Sequence, residues 1–142
     1  MVDFIFTIFL LLIILIISLN LLNSTFSDDK QVEINLISRS LIDKVGNSIN
    51  SVNSKNVGTI KEVTLPNNIS SLPYSIAVRE NEVIISILSR KGETSIHPVK
   101  LANIYGNIVN EIKLYPGESY KIKKSINSDN ITVLQIYNYE KN

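Results

Sequence analysis

The chain has 142 residues, with 14 Lys+Arg against 13 Asp+Glu and no cysteine. That length bounds it to about one domain. The near-balanced charge gives no reason to expect nucleic acid or a strongly acidic partner. The missing thiols exclude a disulfide framework and thiolate chemistry.

The first element is an apolar run. From Phe4 to Leu22, 16 of 19 residues are Phe, Ile or Leu, and no charge falls between Asp3 and Asp28. A 19-residue helix rises about 28 Å, close to the roughly 30 Å hydrocarbon thickness of a bilayer. A cleaved secretory signal would show a basic start, a shorter apolar stretch and a small-residue cleavage site. Met-Val-Asp carries no Lys or Arg, and no A-x-A-like pattern follows. Residues 1–27 are therefore expected to form an uncleaved helix that spans a membrane or lines a filament core. Phe4, Phe6, Phe9, Leu12, Ile13, Ile16 and Leu19 are its candidate contact residues. The N-terminus is expected inside and the body outside.

Residues 28–56 are read as an amphipathic helix and linker. Val32, Leu36, Ile37, Leu41, Ile42, Val45, Ile49 and Val52 recur mostly at steps of three and four, the period of one helical face. No Pro or Gly separates this stretch from the apolar run. The two are expected as one long helix, broken or bent around residues 20–29. A continuous helix from Val2 to Asn53 would be roughly 75–80 Å long. The polar segment Asn50–Gly58 ends it.

Residues 57–142 read as strands. Ile60–Leu65 runs into the turn cluster Pro66-Asn67-Asn68. Tyr74, Ile76 and Val78 alternate with Ser75, Ala77 and Arg79, a half-buried strand. Val83–Leu88 is apolar on both faces, as in a central strand. A turn is expected at Arg90–Glu93, and strands at 95–101, 107–114, 119–124 and 130–138. Pro116-Gly117 has the type II pairing. The fold class is α+β: a long N-terminal helix, then an antiparallel β-sandwich-like head of six to seven strands.

The layout resembles archaeal type IV pilin-like and archaellum-related surface proteins. The likeness is carried by the apolar helix, by "LISRSLIDKVGNSINSV" (Leu36–Val52), by "VTLPNNISSLPYSIAV" (Val63–Val78) and by "LYPGESYKIKK" (Leu114–Lys124). The resemblance implies a non-enzymatic surface protein, with the helix as membrane anchor or filament core and the β head displayed outside. Pilin precursors carry a short basic leader before the helix, and none precedes Phe4 here. An unprocessed chain would look more like a membrane-anchored accessory binding module, which contacts the cell envelope or another surface assembly. The expected partners are then the lipid bilayer, copies of the chain itself or an envelope component.

Chemistry is sparse. The single His97 cannot build a multi-His metal site, and on a strand it reads as a surface residue. No nucleophile elbow, Gly-rich phosphate loop or zinc motif occurs. Asp28-Asp29-Glu33 and Glu80-Glu82 lack Ca²⁺-loop spacing. No cofactor, metal or catalytic residue is expected. Lys121 and Lys123 share one face of a strand, read as solvated or as an edge protected from pairing. Asn23, Asn68 and Asn130 begin N-x-[ST] sequons and are candidate glycosylation sites. Tyr137 and Tyr139 are candidate binding aromatics.

Overall fold

The computed structural model describes residues 2–139. Helix α1 spans Val2–Asn53 without interruption. The expected break around residues 20–29 is absent. The polar side chains there are satisfied within the helix: the Ser24 and Thr25 hydroxyls both donate to the Leu21 carbonyl, at 2.9 and 3.0 Å. The chain divides into two compact units, one ending at Asn35 and the other starting at Leu36. The division falls inside the segment read as amphipathic. Its inner part, from Leu41, belongs to the core of the head.

Nine strands follow: β1 Ile60–Thr64, β2 Tyr74–Arg79, β3 Glu82–Ile87, β4 Arg90–Ser95, β5 Leu101–Ala102, β6 Ile108–Val109, β7 Glu111–Leu114, β8 Ser119–Ile126 and β9 Thr132–Asn138. They form two sheets, ordered β1-β8-β9-β5-β6 and β4-β3-β2-β7. Pairing is antiparallel except between β5 and β9. The chain is thus α+β with mostly antiparallel sheets.

Four details differ from the sequence reading. Arg90–Glu93 is strand, not turn; the reversal is at Leu88-Ser89, where Leu88 takes φ 54°. The strand expected at 95–101 is irregular over 96–100. Pro98 has no N–H for a ladder, and the Ile96 and Val99 amides donate instead to the Asn81 and Glu80 carbonyls, both at 2.9 Å. The strand expected at 107–114 splits at Asn110 into β6 and β7, which join different sheets. Finally, β8 is flanked by β1 and β9, so Lys121 and Lys123 do not protect an edge.

The helix joins the head through one face. Leu41, Ile42, Val45, Ile49 and Val52 are buried with Val63, Ile76, Val78, Ile85, Leu101, Ile122 and Leu134. Gly46 makes the approach to β4 close: a Cβ there would lie 3.2 Å from the Thr94 methyl and 3.3 Å from that of Ile96. The Asn50 side chain accepts from the His97 amide at 2.8 Å. The last turn of α1 contains no basic residue. Lys124 of β8 supplies the cation: its Nζ donates to the Asn53 and Lys55 carbonyls at 2.5 and 2.9 Å. A cation at orphan C-terminal carbonyls satisfies them and complements the helix dipole.

Between β1 and β2 the chain makes a two-residue reversal. Ile69 and Leu72 exchange both backbone bonds, and Ser70 and Ser71 sit at φ 48° and 66°. Positive φ at both central positions is the type I′ pattern, which favours Asn-Gly. The turn is held because Ile69 is buried beneath it. The double variant Ser70→Asn, Ser71→Gly is expected to raise unfolding stability by about 1 kcal/mol, read by urea titration.

Candidate functional site

The seven helix residues singled out in the sequence all face outward. Their exposure runs from 42% at Ile13 to 69% at Phe4. At 100° per residue these seven span an arc of about 200°, and the exposed Leu10, Ile14, Ile17 and Leu21 fill the rest of the circumference. A helix apolar on all sides needs an apolar surrounding on all sides. The polar exceptions are quenched locally, as where the Ser18 hydroxyl donates to the Ile14 carbonyl at 2.8 Å. α1 is long and apolar enough to cross a membrane, with mean hydropathy 3.0 in its most apolar window, none of it buried. A membrane span and an N-terminal signal sequence both meet that description.

The head offers a second, unforeseen feature. Two five-residue turns share one plan. In the turn joining β5 to β6, the Asn103 side-chain oxygen accepts from the Tyr105 and Asn107 amides, each at 3.0 Å. In the turn joining β8 to β9, the Asn127 oxygen accepts from the Asp129 and Ile131 amides at 3.1 and 2.9 Å. Each fourth residue takes positive φ: Gly106 at 86° and Asn130 at 60°. This is a type I turn followed by a left-handed residue. The turns lie side by side, since a Cβ on Gly106 would be 3.8 Å from that of Asn127. Gln135 of β9 ties the first turn down, its Nε2 donating to the Asn103 and Ile104 carbonyls at 3.2 and 3.3 Å. Tyr105 stands at the apex, 86% exposed, with Ile104 and Ile108 also exposed. The local signal was legible: Asn-x-x-Gly and Asn-x-x-Asn between strands.

No protein-family model, curated protein or solved structure matches the chain.

The remaining candidates fall apart from these features. Tyr137 is half-buried, and Tyr139 lies under the Lys121 ammonium, 4.2 Å from the ring centre. Lys121 also meets Glu62 across the β1–β8 pair at 3.4 Å, so it serves the sheet's own surface. His97 is exposed in the irregular 96–100 segment, not on a strand. Arg79 bridges Glu82 and Glu111 at 3.1 and 2.9 Å, which accounts for one of the two carboxylates at 80–82. Among the described residues no group of three His, Cys, Asp or Glu could hold a metal ion. All three sequon asparagines are exposed. Asn23 lies within the helix, Asn68 accepts from the Ser71 amide at 3.2 Å, and Asn130 is the left-handed residue of its turn.

Two phenols are built into the head. The Tyr74 hydroxyl donates to the Pro66 carbonyl at 2.6 Å, and burial pushes its pKa up to about 12. The Tyr120 hydroxyl donates to Glu118 at 2.6 Å and accepts from the Tyr115 amide at 2.8 Å. Burial, and then the Glu118 hydrogen bond, hold it well above the usual phenol range. Both pKa values are higher folded than unfolded. Their stabilisation is therefore complete below the ordinary value of 10.0; that of Tyr74 is lost as pH rises through about 12, and that of Tyr120 only at still higher pH. Urea-unfolding stability is expected to decline over that interval, and Tyr74→Phe to flatten the decline.

Proposed function

We propose that the chain is a non-enzymatic, pilin-like surface protein. Its apolar helical half is held in hydrocarbon, as a bilayer anchor or as the core of a filament of copies, and its β head is displayed outside the cell. One observation carries the reading: 19 successive helical positions, apolar on every side and uncovered, continue without a break into a helix that completes the core of a β head. A soluble protein rarely leaves so large an apolar surface open. With lipid or sibling helices around it, the exposure disappears.

The absence of cysteine makes topology simple to test. A single cysteine placed at exposed Ser128 is expected to react with a membrane-impermeant maleimide on intact cells, and the protein to resist alkaline carbonate extraction. Protection of Ser128→Cys until the cells are lysed would refute display of the head. Electron microscopy of sheared material decides between anchor and filament: threads that disappear with the gene support a filament core, and detergent-soluble monomer alone supports an anchor.

A further inference from the structure

We propose that the twin turns Asn103–Asn107 and Asn127–Ile131 form a binding site for a neutral carbohydrate, with the Tyr105 ring as the stacking platform. The site is pre-organised. Four side-chain-accepted amide bonds, two left-handed residues and the Gln135 clamp fix both turns before any ligand arrives. Binding to a rigid surface avoids most of the ordering cost that a flexible loop would incur. Tyrosine suits such a surface, because it offers a large amphipathic contact area with only two side-chain torsions.

The charge inventory selects the ligand class. From Leu101 to Asn110 there is no Asp, Glu, Lys, Arg or His, and the second turn adds one carboxylate, Asp129. Neither turn carries a cation, and the lysine opposite the Gln135 clamp is Lys123 of β8, so an anionic lipid surface, a nucleic acid or a sulfated polymer meets little counter-charge there. An apolar protein partner would bury the exposed Asn107, Asp129 and Asn130 side chains against groups that cannot pair with them, at a desolvation penalty. A hexose meets both demands. Its ring carries C–H bonds on one face, which pack on an aromatic ring, and hydroxyls around its rim, which pair with carboxamide and carboxylate oxygens and with amide N–H groups.

The test uses the full chain in detergent micelles, so it does not depend on topology or assembly and can fail while the anchored-display reading stands. Calorimetric titration is run with mannohexaose, cellohexaose, maltohexaose and chitohexaose, and with heparin and phosphatidylcholine vesicles as comparisons. At least one neutral hexasaccharide is expected to bind, unaffected by 0.5 M NaCl. Tyr105→Ala is expected to weaken it about tenfold with unchanged thermal unfolding, and Tyr105→Phe to keep most of the affinity. Tyr115→Ala, which removes an exposed tyrosine outside the two turns, is expected to change nothing. Binding of heparin or vesicles alone, no binding of any neutral glycan, or equal loss in the Tyr105→Ala and Tyr115→Ala variants would each overturn the assignment.

Discussion

Replacing Ile49 by Ala is expected to lower the unfolding free energy of the head by about 2–5 kcal/mol. Ile49 is 0% exposed and lies on the same helical face as Ile42, Val45 and Val52, all fully buried. Truncation removes three carbons from a dense core that can close over the gap only in part, so lost transfer energy and a residual cavity add together. For a head of this size the midpoint of thermal unfolding should fall by roughly 10–20 °C, read by circular dichroism in the β-sheet region. Leu36→Ala supplies the contrast. Leu36 is on the same helix but 66% exposed, and its loss is expected to change stability by no more than about 0.5 kcal/mol. Equal effects of the two variants would show that the helix does not complete the core.

The second large effect is expected at Ile13, near the middle of the apolar run. Ile13→Lys places an ammonium at the centre of the hydrocarbon segment, at a cost of about 2.5–3.5 kcal/mol on insertion scales. That is roughly a hundredfold shift in partition. The variant is expected to leave the membrane pellet during carbonate extraction, whereas the parent remains in it. Asn20→Lys, near the end of the run, should have a small effect, because a lysine there reaches the interface along its own stem. The same sign is expected in a filament, where Ile13 would sit among apolar neighbours. An Ile13→Lys protein that pellets and extracts like the parent would remove the case for a hydrocarbon environment.

The elements that could be read from sequence are those fixed by their own composition. The apolar run and the three–four spacing up to Val52 define α1, and Asn50–Gly58 ends it. Alternation at Tyr74, Ile76 and Val78 gives β2, and the doubly apolar Val83–Ile87 gives β3, central in its sheet. What could not be read was decided at long range. Arg90–Glu93 has the charges and glycine of a turn, yet Gly92 is in strand β4. A Cβ there would lie 3.3 Å from an Ile85 methyl and 3.9 Å from the tip of Ile42 on α1. The glycine answers a packing demand made by a helix 50 residues earlier, and no local pattern carries that information. Asn110 is similar, since where the chain changes sheets depends on which edges are free. At the candidate sites, the helix was legible in its extent but not in its continuity, since the break expected around residues 20–29 does not occur. The twin turns were legible in their Asn and Gly positions, but their adjacency depends on β5 pairing in parallel with β9, 30 residues on.

Lys124 decides how the head would bear a mechanical load. Its ammonium grips the last carbonyl of α1 and that of Lys55 just beyond it, and its strand, β8, is hydrogen-bonded along most of its length to β1 on one side and β9 on the other. Tension drawn along residues 41–53 therefore reaches the sheet by two routes: along the chain into β1, an edge strand, and through the Lys124 ammonium into β8, an interior one. The second route shares a load that would otherwise fall on the edge strand alone and peel it from β8. Without Lys124, the backbone between Asn53 and Ile60 would carry it into β1 by itself.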